Sequence, residues 1–221
     1  MNKNGVTITA FCMVNRFDER PEEELAWVTD VVQASKELNV KAIRIDLIPR
    51  KITREAFLEF AISMGKRLVE KVQGTDIRYG IENHGSTTNN VEFLDQLFDG
   101  VASDALGLTL DTGNFYWYGY PLNNLYDIYK KFSPRICHTH CKSINYPEDK
   151  RNIRRETGWE YGKYCCPIYQ GDIDFTKVVA ILHAADYKGD LCIENESLGR
   201  FSKTEREEIL RKEAVFLGRL V

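Results

Sequence analysis

The sequence lacks the long apolar run that a membrane span requires. No stretch approaches the roughly 20 consecutive apolar residues that cross a bilayer. A basic surplus is also missing, because 30 lysines and arginines stand against 33 aspartates and glutamates, for a formal net charge of −3. These absences predict a protein that neither spans a membrane nor binds nucleic acid through a basic face.

Cysteine occurs in no arrangement that indicates a disulfide framework or a zinc knuckle. The six cysteines are spread over 221 residues, and the adjacent Cys165 and Cys166 form no CxxC pair. The first residues show no clean apolar run ending at a small-residue cleavage site. We therefore expect a reducing, cytoplasmic compartment. Since 43% of the residues are hydrophobic, the chain has ample material for a folded core.

Short β-rich runs alternate with longer amphipathic stretches along the whole chain, which predicts six strand–helix units. Asp174, and Ser202 with Glu205, are predicted N-terminal caps of the last two helices. Because no linker interrupts the alternation, we predict one α/β domain over residues 1–221. Such units predict a parallel sheet, either open and doubly wound or part of an eight-unit barrel. The predicted strands are residues 6–14, 41–48, 78–82, 106–111, 135–140 and 190–194.

Potential metal ligands end four of these strands, and this distribution favours the barrel. They are Glu82 in IENHG, Asp111 in LDTGN, His140 in HTHCK and Glu194 in IENES. Glu82 and Asp111 are 29 residues apart, as are Asp111 and His140, which matches one strand–helix repeat. Neither GxGxxG nor GxxxxGK[ST], the phosphate loops of open nucleotide-binding sheets, occurs. Because strand ends converge in a barrel, the four side chains are expected to share one divalent metal.

Three carboxylates and one imidazole form a mostly oxygen donor set. This set favours Mn²⁺, Mg²⁺ or Co²⁺, with Zn²⁺ as a further candidate. Against a dication the three carboxylates leave one negative charge, so a neutral polyol or keto compound is the expected substrate. A single strand-end carboxylate also serves commonly as a turn cap or surface charge, and His138 also suits a hydrogen-bonded interior position. The metal site is therefore predicted from the joint pattern of the four ligands.

The strings IENHG, LDTGNF, HTHCK, YQGDIDF and YKGDLCIENE resemble the xylose-isomerase-like TIM barrels of the sugar phosphate isomerase/epimerase superfamily. The resemblance runs from about Ile43 to the C-terminus. It implies metal ligands at the four strand-end residues, with Glu82 and Glu194 also acting as the catalytic acid/base pair. The substrate contacts expected with it are His84, Asn114, Lys142 and His138.

The function expected from this resemblance is metal-dependent isomerisation or epimerisation of a sugar or keto-polyol through an enediolate intermediate. Two alternatives remain open: a dehydratase similar to inosose dehydratase, and a non-catalytic metal- or sugar-binding protein. Metal-dependent phosphodiester cleavage, known in the same superfamily, is disfavoured by the four histidines and the missing basic surplus.

Two features depart from the family pattern. An eight-unit barrel usually needs about 250 residues, so the first two units are expected to be missing. The strand edges of such an incomplete barrel predict a homo-oligomer or another cover. Residues 143–171 are rich in aromatic and basic side chains. They are interpreted either as a solvated loop or as a lid in which Arg151, Arg154 or Arg155 meets substrate anions.

Overall fold

The computed structural model describes residues 5–221, so residues 1–4 of the predicted domain lie outside the described part. The strands are β1 (Ala10–Cys12), β2 (Ala42–Ile45), β3 (Arg78–Glu82), β4 (Leu106–Asp111), β5 (Ile136–Cys141), β6 (Ser143–Ile144), β7 (Cys165–Cys166) and β8 (Cys192–Ile193). The helices are α1 (Pro21–Leu38), α2 (Phe57–Glu70), α3 (Val91–Val101), α4 (Asn114–Trp117), α5 (Leu122–Phe132), α6 (Glu148–Arg151), α7 (Tyr161–Tyr164), α8 (Phe175–Ala184) and α9 (Lys203–Gly218). Within residues 5–221, no helix is both long and apolar enough to cross a membrane.

The chain divides into two compact units. The first contains residues 5–109 and Arg135–His138, and the second contains Leu110–Pro134 and Thr139–Val221. Strands β4 and β5 each begin in the first unit and end in the second. The prediction of one domain over residues 1–221 stays a prediction.

The first unit carries strands in the order β1-β2-β3-β4-β5. Its ladders from β1 to β4 are parallel, and Ile43, Tyr79 and Leu108 in the three inner strands are fully buried. Such apolar strands are typical of a parallel sheet that is covered by helices. Strand β1 is shorter than predicted, because its first residue already pairs with Ala42, the first residue of β2.

The second unit carries the strand order β4-β5-β8, together with the antiparallel pair of β6 and β7. Two of its helices begin at the predicted caps. The Asp174 carboxylate accepts the Thr176 amide of α8 at 3.0 Å, and Ser202 with Glu205 forms a capping box on α9. The two strand orders share β4 and β5 and together contain six different strands, β1 to β5 and β8. This confirms the predicted α/β fold of six strand–helix units.

Asp18 fixes the turn that follows β2 in the first unit. Its Oδ2 accepts the backbone amides of Arg50, Lys51 and Ile52 at 2.7, 2.7 and 3.0 Å. Partial burial raises the pKa of this carboxyl, but the three amides outweigh burial and leave the pKa below its ordinary value. The charged carboxylate is therefore the form that the folded turn prefers.

We expect Asp18→Asn to lower the free energy of unfolding by about 1 kcal/mol at pH 7. Because the folded pKa is depressed, this contribution is present above the unfolded value near 3.8 and is lost as pH falls through the folded value. Urea denaturation at pH 7 and pH 3 measures the difference. Asp30→Asn, at an exposed position of α1, is the control. A loss of equal size at both pH values would contradict the prediction.

Candidate metal and acid–base site

Three of the predicted metal ligands come together in the second unit. Asp111 is the last residue of β4, His140 lies near the end of β5, and Glu194 directly follows β8. One ligand atom from each of the three lies within 4.8 Å of the others, and His140 Nδ1 is 3.3 Å from Glu194 Oε2. The β5–β8 ladder explains this closeness, since His140 pairs with Cys192 and the Glu194 amide donates to the Cys141 carbonyl.

The turn after β4 orients the Asp111 carboxylate. Asp111 is fully buried, and its Oδ1 accepts the backbone amides of Gly113 and Asn114 at 2.8 and 2.9 Å. The other oxygen, Oδ2, lies 2.9 Å from Lys142 Nζ. Glycine at position 113 leaves room for the lysine, because a Cβ there would approach Lys142 Cγ to 2.9 Å. The turn formed by the LDTGN string thus orients Asp111 Oδ2 toward Lys142.

Lys142 is a buried cation at the centre of the second unit's cluster. Its Nζ lies 3.2 Å from Glu194 Oε2 and 2.9 Å from Glu196 Oε1. Burial lowers the pKa of Lys142, but the charges of Asp111 and Glu194 outweigh it and raise the pKa above its ordinary value. For Glu194, burial raises the pKa, while the hydrogen bond to His140 and the charge of Lys142 bring it well below the ordinary value. The lysine and this glutamate therefore form an ion pair at neutral pH.

Two side chains of this cluster, Glu196 and Tyr161, are not among the predicted site residues. Glu196 is about half exposed, and its Oε2 accepts the hydroxyl of Tyr161, a residue of the 143–171 segment. The face shared by alternate strand residues gave a signal for Glu196, which lies two positions after Glu194. Tyr161 had no such signal, because it lies 35 residues before its partner.

The 143–171 segment contains regular structure, although most of its residues are exposed or half-buried. It contains the β6–β7 pair and helices α6 and α7. Arg155 is buried between the rings of Tyr116 and Tyr146, 4.4 and 4.5 Å from their centroids. Its guanidinium donates to the carbonyls of Tyr116 and Tyr120 at 2.9 and 3.0 Å. This arginine is therefore buried where the segment packs against Tyr116 and Tyr120 of the same unit.

The other two arginines of the segment also have partners within the second unit. Arg151 Nε lies 2.9 Å from Asp172 Oδ1, and Arg154 lies over the rings of Tyr118 and Tyr120. Both contacts hold the segment against neighbouring parts of the same unit.

The remaining predicted site residues lie in the first unit. Glu82 is the last residue of β3, is buried, and forms an ion pair with Arg44 of β2. It aligns with Thr109, two residues before the end of β4. His84 Nδ1 lies 3.1 Å from Asp46 Oδ1, and this hydrogen bond outweighs burial and raises the pKa of His84. His138 lies on β5 and is 2% exposed.

The three predicted carboxylate ligands have cationic partners in the structure. Lys142 is an ionic partner of both Asp111 and Glu194, and Arg44 is an ionic partner of Glu82. The predicted surplus of negative charge is therefore offset by cations that the ligand pattern did not include. A neutral substrate remains compatible with this balance.

A family model described as a xylose isomerase-like TIM barrel matches residues 1–220. The chain belongs to this family, which confirms the resemblance seen in the sequence. The fold is accordingly of the TIM-barrel type.

The curated relatives match only part of their own length. Inosose dehydratase of Clostridium botulinum (strain Eklund 17B / Type B) is 32% identical over 117 residues, which are 51% of this chain and 38% of that enzyme. The match thus spans well under half of that relative.

Solved structures match over nearly the whole chain. The IolI protein with a bound zinc atom has a TM-score of 0.68 at 17% identity, over 95% of this chain and 74% of that one. A xylose isomerase-like TIM barrel protein from Mycobacterium smegmatis in complex with magnesium has a TM-score of 0.66 at 16% identity, over 96% and 74%. At these identities the two structures establish the fold alone.

Proposed function

We propose that the chain is a divalent-metal-dependent enzyme that transfers a proton next to the carbonyl group of a sugar or keto-polyol. Isomerisation or epimerisation through an enediolate is the proposed outcome. The observation that carries this proposal is the cluster of Asp111, His140 and Glu194, with the Lys142 ammonium beside its two carboxylates. It combines candidate metal ligands, a candidate base and a cation in one largely buried place, as proton abstraction beside a carbonyl requires.

The donor set fits a divalent cation. Two carboxylates and an imidazole within 4.8 Å of one another suit Mn²⁺, Mg²⁺, Co²⁺ or Zn²⁺. The two similar structures described above contain zinc and magnesium, respectively. They support a divalent ion at this site but do not indicate which one. We propose Glu82 as the fourth ligand, because it ends β3 and pairs with Thr109, two residues before Asp111 on β4. When bound, such a cation polarises a carbonyl oxygen and acidifies the adjacent C–H group.

The protein's own groups handle the proton and the developing charge. Glu194, which is ionised at neutral pH, is proposed to take the proton, and Glu82 is proposed to return or remove one on the opposite side. The Lys142 ammonium would stabilise the negative oxygen of the enediolate. Asn114, whose Oδ1 lies 3.4 Å from Lys142 Nζ, is proposed as a substrate contact. His84 and His138 are proposed to line the same pocket.

Dehydration is the second candidate, and the curated relatives favour it. The C. botulinum relative is named inosose dehydratase. The same proton abstraction followed by loss of a β-hydroxyl would dehydrate a keto-polyol. The two outcomes share their first step and differ in whether a hydroxyl leaves. The predicted cytoplasmic location and homo-oligomer stay predictions.

One experiment separates the candidates. The purified chain is loaded in turn with each of the four cations and incubated in D₂O with a panel of ketoses and an inosose. We expect deuterium to enter the carbon next to the carbonyl, as detected by NMR. A changed stereocentre or a moved carbonyl without loss of water identifies an epimerase or isomerase, and loss of water identifies a dehydratase. Bound metal without exchange would contradict the enzyme proposal and favour a metal- or sugar-binding protein.

A further inference from the structure

Lys142 has more acceptors than N–H groups. An ammonium has three donors, yet four side-chain oxygens lie within 3.4 Å of its nitrogen. The Asp111 and Glu194 oxygens are 2.9 and 3.2 Å away and belong to proposed metal ligands. The Glu196 and Asn114 oxygens, at 2.9 and 3.4 Å, do not. The ammonium is therefore shared between the metal ligands and a second pair of groups.

This position gives the ammonium an electrostatic role at the proposed metal site. The Asp111 and Glu194 carboxylates both carry negative charge, and both lie beside Lys142 Nζ. Without a cation between them the two carboxylates would repel each other. A dication held by the same carboxylates would in turn repel an ammonium only a few ångströms away. The ammonium and the metal ion therefore compete for the same negative charge.

We propose that the Lys142 ammonium neutralises Asp111 and Glu194 until a metal ion binds to them, and that Glu196 is a positioning residue that attracts this ammonium away from the metal ligands. Before metal binding, Lys142 holds Asp111 and Glu194 together. On metal binding, the ammonium moves to Glu196 and Asn114. Tyr161 holds Glu196 in position to receive the ammonium, because its hydroxyl donates a hydrogen bond to Glu196 Oε2. The inference rests on the proposed function, since it presupposes that the cluster binds a divalent cation.

The test is a double-mutant cycle on the dissociation constant for Mn²⁺, measured by calorimetry at pH 7. We expect Lys142→Met to bind Mn²⁺ at least tenfold more tightly, because the competing charge is gone. Glu196→Gln should bind about tenfold more weakly, because the ammonium then stays on the metal ligands. The double variant should match Lys142→Met within about twofold, since Glu196 has no ammonium left to attract.

The cycle distinguishes this mechanism from a simple effect of charge. Glu196→Gln also removes a negative charge near the metal, and that effect alone would weaken binding equally with and without Lys142. Equal weakening in both backgrounds overturns the inference and leaves the proposed metal site standing. A wild-type chain that binds none of the four cations overturns the proposed function as well.

Two further variants keep the result interpretable. Lys142→Gln removes the same charge but retains hydrogen-bonding capacity, and it replaces Lys142→Met if that variant does not fold. Glu207→Gln removes one exposed carboxylate of α9 and should leave the Mn²⁺ dissociation constant unchanged within twofold. An equal weakening in Glu207→Gln and Glu196→Gln would also overturn the inference.

Discussion

Glu194→Gln is expected to lower turnover by about 10³-fold and to leave the fold intact. The amide has nearly the same size as the carboxylate, but it cannot accept a proton from a carbon acid. The buried Lys142 keeps Asp111 and Glu196 as anionic partners, so the exchange leaves no buried charge unpaired. Deuterium incorporation into the substrate that reacts fastest with the wild-type chain measures the loss, and circular dichroism measures the fold.

The comparison with Glu207→Gln makes this result specific. Glu207 is an exposed carboxylate of α9, so removing its charge should leave turnover unchanged within about twofold. Near-normal turnover in Glu194→Gln would refute its assignment as the base. A variant that has lost both turnover and helical signal would refute the expectation that the fold survives.

Arg155→Met is expected to lower the free energy of unfolding by about 3 kcal/mol. The guanidinium donates to the carbonyls of Tyr116 and Tyr120 and, through Nη1, to those of Lys150 and Ile153. Methionine fills much of the space but donates no hydrogen bond, so these carbonyls lose their partner. The cation–π contacts with two rings are lost as well. Urea denaturation at pH 7 measures the change.

Arg154 supplies the matched control for this substitution. It lies over Tyr118 and Tyr120 on the exposed side of the same segment, 4.8 and 4.6 Å from the ring centroids. Arg154→Met should cost less than about 1 kcal/mol, because cation–π pairs at exposed sites contribute that much or less. Equal losses for the two variants would contradict the claim that Arg155 stabilises the segment through its buried carbonyl contacts.

The positions of the candidate ligands could be predicted from the sequence, because neighbouring residues are enough to indicate where a strand ends. A short apolar β-run followed by a carboxylate or an imidazole marks Asp111 and His140 without knowledge of any distant residue. Their separation of 29 residues then links one strand–helix repeat to the next. In the structure Asp111 ends β4 and His140 lies near the end of β5.

Side-chain partners could not be predicted in the same way. Arg44 and Glu82 are 38 residues apart, and Tyr161 and Glu196 are 35 apart. Many charged and hydroxyl residues lie at such distances in the sequence, and no periodicity selects one pair among them. The 143–171 segment shows the same limit, because its basic residues suggested exposure to solvent. Arg155 is instead buried, since two tyrosine rings and several carbonyls surround its charge.

The sequence by itself determined the succession of strands and helices, the caps of α8 and α9, and the strand ends that carry ligand-type side chains. These features depend on residues within a few positions of one another, and local preferences and periodicity reveal them. Only the tertiary structure decided which charges neutralise which, and that Lys142 lies between Asp111, Glu194 and Glu196. Electrostatic energy depends on distance in space, and folding alone brings these distant residues within 2.9 to 3.2 Å of Lys142.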